Sequence, residues 1–134
     1  HYDLQPTNII FYKNKVIAII DFDSMRYGFL MDDVAFCSFR FSVFKTKSIS
    51  RIIDNIKFFM INYMKFNSLT KNEKRSYFFL LRKNFLEKIS YILRKYYFFN
   101  DDSWSDDLLK HIRLLKIIDK LELTLKSNFL INLS

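Results

Sequence analysis

At 134 residues, half of them hydrophobic, the chain is one domain or part of one, and it has enough apolar side chain to exclude wholesale disorder. Its net charge is +8, but the basic residues are spread along the sequence, which favours a solvated basic face over a nucleic-acid or membrane patch. The single cysteine, Cys37, excludes an internal disulfide or a cysteine metal cluster, and its apolar setting reads as a small buried hydrophobe in a reducing, cytoplasmic protein.

The first element is a polar loop, His1-Tyr2-Asp3-Leu4-Gln5-Pro6-Thr7-Asn8, in which Pro6 fixes φ and stiffens the stretch between Asp3 and Asn8. Asn8 to Tyr12 and Lys15 to Ile20 read as two strands around a tight turn at Lys13-Asn14. That hairpin returns the chain so that Asp21 of Asp21-Phe22-Asp23 lands near Asn8. From Met31 the periodicity becomes helical, with Asp32 or Asp33 as the expected cap. Ile49 to about Phe66 places Ile52, Ile53, Ile56, Phe59, Met60 and Tyr63 on one side. Thr70-Lys71-Asn72-Glu73 is a capping-box pattern opening one long helix through Phe78, Leu81, Phe85, Ile89, Ile92 and Tyr96. Asn100-Asp101-Asp102-Ser103 is a break. Ser103 or Ser105 is the expected cap of a last helix, with Leu108, Leu109, Ile112, Leu115 and Ile118 inward and Asp106 and Asp107 at its positive end. The sum is an α+β fold, mainly helical, in which a hairpin precedes about four helices. Residues 1–30 would carry the loops and hairpin, and 31–134 the helical part.

The front of the chain carries chemistry. A kinase catalytic loop reads H-x-D-L-x-x-x-N, with a base at the Asp and a metal ligand at the Asn, and a second metal-binding Asp follows a hairpin. The sequence supplies Asp3, Asn8 and Asp21 in that order. More specifically, His1, Asp3, Pro6, Asn8-Ile9-Ile10-Phe11, Ile19-Ile20-Asp21-Phe22-Asp23 and Asp33-Val34-Ala35 resemble the aminoglycoside phosphotransferase and choline kinase-like family. Trp104, Asp107 and Leu108 resemble its C-terminal helices more loosely.

The resemblance implies the C-terminal lobe of a protein kinase-like fold. It implies Asp3 as catalytic base, Asn8 and Asp21 as ligands of Mg2+ and so of the nucleotide phosphates, and ATP or GTP as phosphoryl donor. The acceptor would be the hydroxyl of a small alcohol such as an aminoglycoside, choline or ethanolamine. His1, Asp23 and Asp33 would play supporting parts, with Asp33 fixing the loop to the following helix. Two positions depart from the family pattern: Tyr2 stands where Gly is usual, and Gln5 where His is common. Two oxygen ligands on neighbouring loop ends suit magnesium, which keeps waters and phosphate oxygens in its shell.

The only glycine is Gly28, so a Gly-rich phosphate loop has no place in the sequence. The expectation is that the nucleotide-covering N-terminal lobe lies elsewhere in a longer protein and that the chain by itself is inactive. Two other readings compete. Val16 to Asp23 resembles the strand and D-x-D of haloacid dehalogenase-type phosphatases, with Asp21 as nucleophile and Asp23 as acid/base. Against it, no alternation of strands and helices follows. A non-catalytic basic helical binding module leaves the pattern from His1 to Asp23 unexplained. His111, on the polar side of the last helix, reads as a surface or partly packed residue and Trp104 as a packing anchor, Arg26 and Tyr27 as turn fillers or substrate neighbours, and Asp101 and Asp102 as a turn.

Overall fold

A computed structural model describes residues 1–126 and 129–133. A one-turn 3-10 segment at Pro6–Asn8 leads into strands β1 (Ile9–Tyr12) and β2 (Lys15–Ile19). Five helices follow: α1 (Leu30–Ser42), α2 (Ile49–Met64), α3 (Lys71–Arg75), α4 (Tyr77–Phe99) and α5 (Ser105–Leu125). The mainly helical α+β architecture is the one the periodicities predict. Among the described residues there is no parallel sheet, so the doubly wound frame of a haloacid dehalogenase-type enzyme is absent.

The strands pair antiparallel, Ile9 with Ile19 and Tyr12 with Lys15. The two turn residues are both left-handed, with φ 47° at Lys13 and 62° at Asn14. That is the twist-matched two-residue hairpin turn, made here without glycine. A bulge between Ile10 and Phe11 shifts the register, and the Ile20 N–H donates to the Asn8 carbonyl at 3.0 Å, extending the pairing to the edge of the site. Both faces of the hairpin are open, with Phe11, Tyr12, Val16 and Ile17 more than half exposed.

The core lies among the helices. α1 packs on α2 and α4, and α5 on α4 and α2. Phe39, Ile52, Ile56, Met60, Leu81, Phe85, Ile118 and Leu121 are fully buried at the junction. Burying each is worth about 1.5–3 kcal/mol of transfer free energy. Polar links cross it as well. The Ser38 and Tyr77 hydroxyls lie 2.9 Å apart, and Lys83 Nζ donates to buried Asp32 Oδ2 at 2.6 Å.

Local details correct the sequence reading. α1 begins after Phe29 with no side-chain cap; Asp32 and Asp33 lie inside its first turn, where their negative charge suits the helix dipole. The long helix expected from Thr70 is two. The Thr70–Glu73 capping box is present, but Ser76 Oγ donates to the Glu73 carbonyl at 2.8 Å and the helix restarts at Tyr77. A hydroxyl that bonds the preceding turn competes with the regular ladder. α5 also starts without a side-chain cap, because Ser103 and Ser105 donate to Asp101 and to the Asp102 carbonyl instead. Leu109, expected inward, is 52% exposed, and the inward stripe of α5 ends in Ile118 and Leu121.

Candidate active site

The residues from His1 to Asn8 are held from three sides. From α1, the Asp33 carboxylate accepts the Tyr2 N–H at 2.9 Å on Oδ1, and the His1 backbone nitrogen lies 3.1 Å from Oδ2. From the hairpin, His1 Nε2 lies 3.2 Å from the Ile20 carbonyl, while His1 Nδ1 accepts the Asp3 N–H at 3.3 Å. With Nδ1 accepting, the proton sits on Nε2 and donates to Ile20; the imidazole is a neutral strut between the two loops. Its ring packs on Phe22, centroids 4.8 Å apart. From within, buried Asn8 donates through Nδ2 to the Asp3 carbonyl at 2.9 Å and to Asp21 Oδ2 at 3.3 Å.

Asn8 thus ties the Asp3 main chain to the Asp21 carboxylate, thirteen residues further on across the hairpin, and the three residues meet at one point. Asp21 takes a left-handed φ of 65°, and Tyr2 one of 60°. At Tyr2 this is the conformation a glycine would hold without strain. The Tyr2 ring is accommodated by Gly28, where a Cβ would come 1.5 Å from Tyr2 Oη. The Arg26 guanidinium lies over the same ring at 4.4 Å. Asp23 is exposed and makes no hydrogen bond among the described residues; it lines the cleft beside the site.

The cleft, of about 660 Å3, runs from Asp3 and Gln5 across α1 and α4 to α5. Its walls include Tyr2, Phe36, Tyr91 and Trp104 with Arg40, Lys88, Asp107 and His111. Burial raises the Asp3 carboxyl above its ordinary value of 3.8, while Lys88, Arg40 and a hydrogen bond from Asn8 pull it back. Arg40 hydrogen-bonds Gln5 Oε1 and lies over Phe36; burial lowers its pKa, with Asp3 and Asp107 opposing. His111 donates from Nδ1 to the Asp107 carbonyl, and burial lowers its pKa below 6.5.

Arg40, Lys88 and His111 were not foreseen in this role. His111 is half-buried against Phe85, ring centroids 5.8 Å apart, the partly packed of its two expected settings. Arg40 had a legible signal: Asp33, Phe36 and Arg40 follow at three- and four-residue spacing, one face of α1, and the structure turns that face to the loop. Lys88 and His111 carried none, since only the packing of α4 on α5 brings them to the cleft. Trp104 does pack, edge-to-face with Tyr91 at 6.3 Å. Tyr27 is fully exposed, and Asp101 forms the expected turn, accepting the Ser103 N–H at 3.1 Å.

The donor set at Asn8 and Asp21 is one carboxylate and one carboxamide, hard oxygen donors on adjacent loop ends. Among the described residues no group of three or more His, Cys, Asp or Glu gathers into a cage. That pairing fits an ion that keeps most of its shell for water and phosphate oxygens, as magnesium does.

A family model described as the phosphotransferase enzyme family matches residues 1–52, from the loop through the hairpin and α1 into α2. No curated protein and no solved structure matches the chain.

Proposed function

We propose, from the premise that residues 1–52 carry the signature of the phosphotransferase enzyme family, that the chain supplies the catalytic base and metal ligands of a small-molecule kinase. The observation that carries the reading is the convergence of Asp3, Asn8 and Asp21 through the two hydrogen bonds of Asn8 Nδ2. In the reaction, the acceptor hydroxyl oxygen attacks the γ-phosphorus of ATP or GTP. The bond to the bridging oxygen breaks, its electron pair leaves on the nucleoside diphosphate, and the hydroxyl proton passes to the Asp3 carboxylate. Asn8 and Asp21 would hold magnesium, which supplies charge neutralisation at the phosphates when bound.

The remaining roles are positional. Asp33 fixes the loop through its backbone nitrogens, and His1 sets the spacing between the Asp3 and Asp21 loops. Burial raises the Asp3 carboxyl, which favours it as a proton acceptor, while Lys88 and Arg40 oppose the rise. The sequence contains no Gly-rich loop to cover the nucleotide. A second lobe of the same protein, resting on the exposed apolar hairpin, would supply that cover.

The test is phosphoryl transfer from labelled ATP to a panel of small alcohols, measured on the protein together with that lobe. Asp3→Asn and Asp21→Asn should each lower kcat by at least about a hundredfold. Full turnover by either variant overturns the assignment.

A further inference from the structure

Arg40 is mostly buried, yet its guanidinium has no carboxylate within ion-pairing distance among the described residues. Its one hydrogen-bond partner is the neutral amide oxygen of Gln5, and its Nε is shut off from solvent without a partner. A cation withdrawn from water without an opposite charge is costly. Lys88 lines the same cleft, is exposed, and likewise forms no ion pair among the described residues. The fields of both converge on Asp3.

The acidic groups of the cleft are placed differently. Glu87 is shared between Arg26 and Lys83, each at 3.7 Å, and Asp107 lies 3.7 Å from Lys110. The two cleft carboxylates with no basic group within 4 Å among the described residues, Asp3 and Asp23, lie on the catalytic loop and the metal-loop side. The charge the cleft leaves open for a substrate beyond the reacting hydroxyl is therefore positive.

We propose that the acceptor carries an anionic oxyacid group, carboxylate or phosphate monoester, seated against Arg40 and Lys88 while its hydroxyl faces Asp3. This rests on the phosphotransferase reading for the hydroxyl's place but not for the anion's. Arg40 offers a planar fork suited to two oxygens, and Lys88 a mobile point charge at the rim. Away from the metal-loop side, where Asp23 stands, a cationic acceptor would meet only Glu87 and Asp107, which already face basic side chains.

The test is direct binding to the whole chain, followed by titration calorimetry and NMR shifts of the His111 ring. The probes are glycerate, glycerol 3-phosphate, glycerol and ethanolamine, at constant ionic strength. One or both anions should bind at least about tenfold more tightly than glycerol or ethanolamine. Whichever anion is preferred separates carboxylate from phosphate chemistry. Lys88→Gln, an exposed change, should weaken that anion at least about fivefold, and Arg40→Gln should weaken it further. Ethanolamine binding as tightly as the anions, no binding by any probe, or anion binding indifferent to Lys88→Gln and Arg40→Gln overturns the proposal. Mn2+ binding in the same samples reads the Asn8–Asp21 site separately, so a failure of the phosphotransferase reading shows there instead.

Discussion

Tyr2 and Gly28 are complementary: the phenol of one occupies the space that a Cβ on the other would need, 1.5 Å from Tyr2 Oη. The chain's one glycine thus stands opposite the bulky residue at the start of the loop from His1 to Asn8. Gly28→Ala should therefore act on Tyr2. Because a side chain's far end can swing, the cost in stability should be small, about 1 kcal/mol. The ring should leave Arg26, and the Tyr2 ring resonances should shift in NMR spectra. Unchanged Tyr2 resonances would contradict the contact.

Asp33 is expected to hold the loop in place. In Asp33→Ala the Tyr2 N–H loses its acceptor, and denaturant unfolding should show a loss of about 1–2 kcal/mol. Amide exchange at Tyr2 and Asp3 should quicken while exchange in α4 is little changed. A uniform loss of protection would mean that Asp33 matters to the core and not to the loop.

The Lys83–Asp32 pair joins α1 to α4 with the Asp32 side chain almost wholly enclosed. Lys83→Met should cost about 2 kcal/mol, since Lys83 itself is about a third exposed and water can partly replace it. The double change Lys83→Met with Asp32→Leu should recover part of that loss. A single variant as stable as the parent chain would show the pair to be idle.

Asp3 and His111 should respond to pH in opposite senses. Burial raises Asp3, so the folded state holds its proton more tightly than the unfolded chain does. Its contribution to stability is present below about 3.8 and lost as pH rises through the raised value. On the proposed reading, in which the Asp3 carboxylate takes the proton, the acid limb of kcat/KM should lie above 3.8, and Lys88→Gln should move it higher. An acid limb unmoved by Lys88→Gln would contradict the shared field.

Burial lowers His111, so its contribution is present above 6.5 and lost as pH falls through the depressed value. His111→Gln should flatten that acid-side loss in a series of melting curves. Equal pH dependence in both proteins would place His111 outside the account.

The front of the chain was legible because its chemistry is local. Asp3, Asn8 and Asp21 are joined by one hairpin, and a two-residue turn is readable from sequence. Helix faces were legible where apolar spacing is regular, as at Ile52, Ile56 and Met60. The cleft's far wall was not. Lys88 looks like a solvated position and His111 like a surface or partly packed one until α4 packs on α5, and Leu109 looks like core until the α5 stripe turns it outward. The caps of α1 and α5 were misplaced for a related reason. Asp32 and Asp33 were taken by tertiary partners, and the serines by the preceding turn.

The central claim, that Asn8 and Asp21 form a divalent-ion site beside the base Asp3, is tested most directly by electron paramagnetic resonance of Mn2+ titrated into the chain, Asp21→Asn and Asp3→Asn. Asp21→Asn should weaken binding at least about tenfold. Asp3→Asn, which removes a carboxylate but no ligand, should leave it within about twofold. Equal Mn2+ affinity in the chain and in Asp21→Asn would contradict the claim.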